Sequence, residues 1–237
     1  MMQRYIIPDI HGELDKLKVL INRILEVAPT PDKFELIFLG DYVDRGPDSC
    51  GVIEYLIDLP KNYKCIFIRG NHDQEFLDYI YSGNTQHHQH PFYTQGFKET
   101  VDSYMKPDVG ISMGYHSQFL EYLVPYYIFE DDNGKHIATH GGWYPKFKVA
   151  DISPAAFQWN RELIDIAVYE NRRNNSKVKI KTADEFDYIY LGHTPVQCYN
   201  EVTPQLYGNV WALDTGVGKL PNTTLYALDV NSQELIN

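Results

Sequence analysis

The chain has 237 residues, 43% of them apolar and 22% charged, with a formal charge of −11. That length is enough for a full core, in one large domain or two small ones, and the composition is unlike that of a disordered chain. The negative balance argues against a nucleic-acid backbone as main partner, because that binding rests on Lys and Arg neutralising phosphates; a phosphorylated substrate stays open, since a bound metal inverts the local field. No stretch approaches the roughly 20 apolar residues of a membrane span, and the first apolar run stops at Pro8-Asp9, too soon for a signal-peptide core. Three scattered cysteines, Cys50, Cys65 and Cys198, read as reduced thiols in a cytoplasmic protein.

In chain order, "RYII" (4–7) reads as a strand. From Leu14 to Val27 the apolar residues Leu14, Leu17, Leu20, Ile21, Ile24 and Leu25 recur at helical spacing on one face. "ELIFLG" is again a strand, "SCGVIEYLIDL" a helix, "KCIFIRG" a strand and "QEFLDYIYSG" a helix. This alternation predicts right-handed crossovers and a sheet that is parallel at least locally. Residues 82–123 break the pattern and read as a small helical insert. "YYIFED" and "KHIATHGG" follow as a hairpin turning at Asn133-Gly134. "FDYIYLGHTP", "NVWALDTG" and "TTLYALDV" add three strands.

The polar clusters fall at the ends of these strands. "PDIHG" follows the first, "GDYVDRG" the second, "RGNHD" the third, and "THGG" and "GHTP" later ones. Ligands of open α/β sheets gather beyond the carboxyl ends of the strands. With the strands side by side, Asp9, His11, Asp41, Asp44, Asn71, His72, His140 and His193 meet on one edge. Carboxylate, imidazole and amide oxygen together suit a divalent transition metal such as manganese, iron or zinc. So many ligands exceed one tetrahedral ion and suit two ions sharing a carboxylate, the arrangement that clamps both oxygens of an in-line displacement.

Those five motifs, in this order, resemble the signature of the calcineurin-like metallophosphoesterases, and more narrowly the bacterial branch of the phosphoprotein (serine/threonine) phosphatases. The resemblance runs from about Tyr5 to about Val230. It implies an α/β metallophosphatase fold: a central β-sandwich of mixed sheets flanked by helices, spanning 1–237 as one domain with the insert at about 82–123. It also implies two divalent transition-metal ions, manganese foremost. Asp9 and His11 would hold one ion and Asn71, His140 and His193 the other, with Asp41 bridging. His72 would be the general acid and Asp44 the carboxylate that orients it. Arg45 and Arg161 would bind phosphate, Arg161 by its place after Trp159 in "FQWNRE"; Arg69 would do the same or only buttress Asp44 or the loop.

The implied activity is hydrolysis of phosphoserine, phosphothreonine or a related phosphomonoester, through attack in line by hydroxide from the dimetal centre. Two departures bear on this. Pro8 stands where the family has Gly, which removes an N–H beside Asp9. "GNHD" replaces "GNHE", and the hydrolases of symmetrical dinucleoside tetraphosphates share that Asp. A dinucleoside polyphosphate hydrolase is therefore the alternative, and an inactive scaffold the remote one.

Other features read as structural. His87, His88 and His90 lie in a polar surface loop, and His116 and His136 are expected at the surface. "LDTG" (213–216) is a single copy in the wrong context for an aspartic protease, and Asp214 is expected to cap a strand near the metal pocket. Tyr115, Tyr144 and Phe147 are candidates to line a substrate groove. The sequons at Asn174 and Asn222 carry no weight in a cytoplasmic protein.

Overall fold

A computed structural model of the chain describes residues 2–83, 86–106, 110, 113–174 and 185–237. The remainder of the sequon at Asn174, part of the insert, and the side chain of His87 lie outside the described residues. Among the described residues ten strands form two sheets. The first contains β1 (Gln3–Ile7), β2 (Phe34–Phe38), β3 (Lys64–Phe67), β9 (Ala227–Asp229) and β10 (Glu234–Ile236) in the order β10-β9-β1-β2-β3. The second contains β4 (Tyr126–Asp131), β5 (Gly134–Thr139), β6 (Tyr188–Leu191), β7 (Gln205–Tyr207) and β8 (Val210–Ala212) in the order β4-β5-β6-β8-β7. β1, β2 and β3 run parallel, as do β5, β6 and β8, while β9, β10, β4 and β7 pair antiparallel.

Alternation along each strand builds the layers, because successive side chains point to opposite faces. Tyr5 and Ile7 of β1, with Leu36 and Phe38 of β2, pack outward against α1 (Leu14–Val27) and α2 (Ser49–Asp58). Ile6 and Ile37 point inward and share one buried cluster with Ala138, Tyr190 and Trp211 of the second sheet. On the far side Ile137, Ile189, Leu191 and Val210 meet α6 (Pro154–Trp159) and α7 (Glu162–Asn174). The result is the expected β-sandwich of mixed sheets with helices on both outer faces. α3 (Asn71–Ser82), α4 (Phe97–Tyr104) and α5 (Ser117–Glu121) complete the helices, the last two in the insert.

The α1 boundaries agree with the apolar spacing, and the hairpin turns where Asn133-Gly134 placed it. The three-residue strands β7 and β10 are too short to leave a pattern, and α6 and α7 were not expected from the sequence.

Two expectations about histidines are corrected. His136 is fully buried between the sheets, bonded to Asp131 and to the Tyr190 hydroxyl at 2.9 Å each and stacked on Phe129. It alternates with Ile137, so the strand period sends it inward with Ala138. His116 is also fully buried, held by the Tyr104 hydroxyl at 2.6 Å and by Glu54. In both cases distant polar partners make burial of an imidazole tolerable. His88 is exposed as expected, whereas His90 is half-buried and stacks on Phe97.

The inter-sheet layer makes a stability prediction. Ile37→Ala removes a fully buried side chain from between the sheets and is expected to cost about 2–5 kcal/mol. Val19→Ala, at an exposed position of α1, should change stability by no more than about 0.5 kcal/mol. Urea unfolding of the two variants checks the contrast.

Candidate active site

The carboxyl ends of β1, β2 and β3 from one sheet, and of β5, β6 and β8 from the other, open onto the same side of the sandwich. Asp9 and His11 follow β1, Asp41, Asp44 and Arg45 follow β2, and Asn71 and His72 begin α3 after β3. His140 follows β5, His193 follows β6 and Asp214 follows β8. All of these except Arg45 are buried.

His11, Asp41 and His72 bring one ligand atom each within 4.8 Å of one another, and so do Asp41, His140 and His193. Asp41 belongs to both groups. Its Oδ2 lies 3.5 Å from His11 Nε2 and 3.4 Å from His140 Nε2, and its Oδ1 accepts the His72 amide N–H at 3.0 Å. Asn71 Oδ1 is 3.1 Å from His140 Nε2, and Asp9 Oδ2 is 3.9 Å from His11 Nε2. The six side chains expected to hold metal therefore converge, with Asp41 between the two groups.

The donor set fits a pair of divalent cations. His11 and His140 each turn Nδ1 to a backbone carbonyl, Val43 at 2.8 Å and Leu39 at 2.9 Å, which directs Nε2 into the site. His193 Nε2 is buried without a hydrogen-bond partner, a lone pair that folding has taken from water. Backbone approach is close as well. A Cβ on Gly70 would lie 2.1 Å from Asp41 Oδ1, and one on Gly192 would lie 2.3 Å from Asp9 Oδ1. Glycine alone leaves room for these carboxylates.

The site's charges are strongly coupled. Burial and then the Arg45 charge hold His11 well below the usual imidazole range. Burial and the neighbouring His140 push His193 down to about 2. Burial works against the His140 imidazolium too, but the Asp41 and Asp9 carboxylates outweigh it and hold His140 at about 9. For Asp41, burial is overcome by His140, His72 and His11, which keep its carboxyl well below the ordinary range. Asp9 rises to about 6 through burial, against the pull of His140. Asp214 is raised well above the usual carboxylate range by burial and then by the Asp9 charge, and its Oδ1 accepts the Gly216 N–H at 2.7 Å.

The loops carry strain to achieve this. His11, Asp41, Asp44, Arg45 and His193 all have positive φ, between 46° and 72°, a region that costs non-glycine residues energy and recurs at functional sites. Asp73 helps to offset it. Its carboxylate accepts N–H groups from Asp41, Tyr42 and Gly70, each at 2.8 Å. The shorter acid of "GNHD" thus ties the loop after β2 to the start of α3. Beyond Pro8 the loop is held by Ile10 and His11, which donate to the Asp41 carbonyl at 3.1 and 2.9 Å.

Asp44 Oδ2 accepts from His72 Nδ1 at 2.6 Å. Arg45 contacts His11 Nε2 and donates to His72 Nε2 at 2.8 Å, so it stands at the cluster. Arg161 is exposed nearby and its charge is felt at His193. Arg69 is a correction: its guanidinium donates to Gln74 Oε1 at 2.6 Å and to the Leu120 and Glu121 carbonyls at 2.8 and 3.0 Å. It buttresses α5 instead of facing the cluster. Sequence reading passed over Phe92, whose ring lies 5.9 Å from His72 and 6.1 Å from Trp159, while Trp159 stands 6.0 Å from His193. Only the third dimension brings these rings to the site.

The shared carboxylate yields a prediction. Asp41→Asn keeps size and tolerates the positive φ, yet removes the charge common to both groups. Metal analysis after dialysis against manganese should show loss of binding at both positions, with the circular dichroism spectrum unchanged. Two ions retained per chain would rule out the shared-ligand arrangement.

Comparison with known proteins agrees with this geometry. The family model for calcineurin-like phosphoesterases matches residues 2–197. An asymmetrical bis(5'-nucleosyl)-tetraphosphatase of Anoxybacillus flavithermus is 27% identical over 226 residues, covering 89% of this chain and 84% of the relative. A symmetrical bis(5'-nucleosyl)-tetraphosphatase of Hamiltonella defensa is 30% identical over 173 residues, 72% of this chain but only 54% of the relative. The crystal structure of a provisionally assigned diadenosine tetraphosphatase superposes with a TM-score of 0.65 at 17% identity, over 99% of this chain and 92% of that one. The chain belongs to the calcineurin-like phosphoesterases, as a metal-dependent phosphoric ester hydrolase.

Proposed function

We propose that this enzyme cleaves the phosphoanhydride chain of dinucleoside polyphosphates. One observation carries the choice of substrate: an aromatic groove beside the metal cluster. Tyr144, Trp159 and Tyr169 are 43%, 40% and 60% exposed and line a cavity of about 530 Å³ together with Arg161, Glu162 and Asp165. Exposed rings next to a cation suit a nucleobase attached to phosphate, since every base offers a face for stacking and Arg pairs with phosphoryl oxygens. Tyr144 was an expected groove residue. Tyr115 and Phe147 are not part of this wall; they stand beside His116 and Lys146. The nucleosyl-tetraphosphatase relatives support the same reading.

Asp9, His11, Asp41, Asn71, His140 and His193 would hold the two cations. When bound, the ions supply Lewis acidity toward the phosphoryl oxygens and a nucleophile at neutral pH. Arg45 binds the phosphoryl group being transferred, and Arg161 binds the phosphate chain that runs toward the groove. In the structure Arg45 donates to His72 Nε2; a phosphoryl group that engages the guanidinium frees that nitrogen to carry a proton. His72, oriented through Nδ1 by Asp44, gives that proton to the leaving oxygen.

A second reading, hydrolysis of phosphoserine or another phosphomonoester, rests on this same dyad. An alkoxide leaves poorly unless protonated, whereas a nucleotide phosphate is a weaker base, so a buried Asp44–His72 pair is of most use to a monoesterase.

Two measurements separate the readings. With manganese, kcat/KM for diadenosine tetraphosphate is expected to exceed that for a phosphoserine peptide. Product analysis then tells ADP alone from ATP plus AMP. The reverse preference would establish the monoesterase reading. Arg161→Ala should raise KM for diadenosine tetraphosphate with less effect on kcat; an unchanged KM would remove Arg161 from the binding site.

His72→Asn tests the proton donor. It is expected to cut turnover of substrates with basic leaving groups by on the order of 10²–10⁴. The loss on 4-nitrophenyl phosphate should be distinctly smaller. Equal losses with metal content intact would remove the general-acid role.

A further inference from the structure

Thr100 lies in the interior of α4 in the insert, fully buried, 56 residues from the loop that carries Asp44. A buried threonine in a helix commonly returns its hydroxyl to a carbonyl of the preceding turn. Ser103, one turn on, does so, donating to the Thr100 carbonyl at 2.7 Å. Thr100 does something else. Its hydroxyl donates to Asp44 Oδ1 at 2.6 Å and accepts the Asp44 amide N–H at 2.8 Å. Ser49 Oγ, 3.0 Å from Thr100 Oγ1, shares the same amide at 3.0 Å.

A hydroxyl has one proton and two lone pairs. With Ser49 as donor to Thr100, all three are used, and two of them go to Asp44. The other carboxylate oxygen, Oδ2, faces His72 Nδ1 at 2.6 Å. Thr100 therefore sets the rotation of the Asp44 carboxylate about its own axis. Without it, Oδ1 is left without its buried donor and Oδ2 is no longer pinned opposite the imidazole. The rest of α4 holds the same loop by its backbone: Arg45 N–H donates to the Gly96 carbonyl at 3.0 Å and Cys50 N–H to Ser103 Oγ at 3.1 Å.

We propose that Thr100 is a positioning residue for proton transfer, the insert's own contribution to a Thr100–Asp44–His72 relay. The proposal rests on the reading of His72 as proton donor. It makes the insert part of the catalytic apparatus and not merely a cover.

The test uses two substrates of nearly equal size, phenyl phosphate with a basic leaving group and 4-nitrophenyl phosphate with a weakly basic one, assayed with the manganese-loaded full chain. Thr100→Val keeps the shape and removes the hydroxyl. It is expected to lower kcat on phenyl phosphate roughly tenfold more than on 4-nitrophenyl phosphate, the rate equivalent of a lost hydrogen bond to a charged group. KM and metal content should stay close to those of the parent. Thr100→Ser keeps the hydroxyl and should restore the leaving-group response to about that of the parent. Thr100→Ala serves in place of the valine variant should the latter fail to fold.

Equal losses on both substrates, or a serine variant no better than valine, would overturn the proposal. His72→Asn, run alongside, keeps the two failures apart. A steep leaving-group dependence in His72→Asn with none in Thr100→Val overturns the role of Thr100 alone. No dependence in either overturns the proton-donor reading and the proposal with it.

Discussion

A single buried carboxylate organises this protein. Asp41 sits at the tip of β2 with φ of 54°, approached within 3.5 Å by His11 from its own sheet and 3.4 Å by His140 from the other. A carboxylate taken out of water is costly unless positive charge, metal or donors surround it. Here both sheets bring their carboxyl ends to the same place, and the imidazoles and the His72 amide supply what water would have supplied. The groups that surround the buried Asp41 carboxylate come together only when the two sheets pack face to face.

The loops around that carboxylate are held in conformations they would not choose alone. Five residues at positive φ are kept there by bonds from neighbouring segments: Asp73 accepts the Asp41 amide, the Asp41 carbonyl that of His11, Thr100 that of Asp44, the Gly96 carbonyl that of Arg45, and Asp9 that of His193. Such preorganisation has a catalytic value, because groups already in place need not be reordered when charge develops on phosphate. It also explains why glycine occupies positions 70 and 192, where the nearest atoms are carboxylate oxygens of Asp41 and Asp9.

In the function proposed above, chemistry and substrate choice are divided between different parts of the chain. The ligand-bearing loops belong to the sheets. The walls come from elsewhere: Phe92 from the insert, Trp159 from the end of α6, and Tyr169 from α7. The Phe92 ring stands beside His72 and Trp159, and the Trp159 ring beside His193. A common phosphoryl-transfer centre with peripheral walls of separate origin lets related chains act on different phosphoesters without altering the centre.

Much of the centre is legible in the sequence, because its residues sit in short loops immediately after strands whose apolar runs announce them. Local spacing is enough to place Asp9, His11, Asp41, Asn71, His140 and His193 at strand ends, and the sandwich of mixed sheets follows from the family those motifs resemble. The partner of each polar group is another matter. His116 and His136 looked like surface residues because Glu54, Tyr104 and Tyr190, which make their burial tolerable, are up to 62 residues away. Arg69 looked like a phosphate ligand because it adjoins "GNHD", yet carbonyls of α5 claim its guanidinium. Thr100 and Phe92 fall in a stretch that reads as a helical insert, with nothing in it to announce their contacts with Asp44 and His72. Chain-local patterns encode which backbone segments end where, since that depends on neighbours in sequence. Hydrogen bonds and ring contacts depend on distance in space, and only the packed sheets and insert decided those.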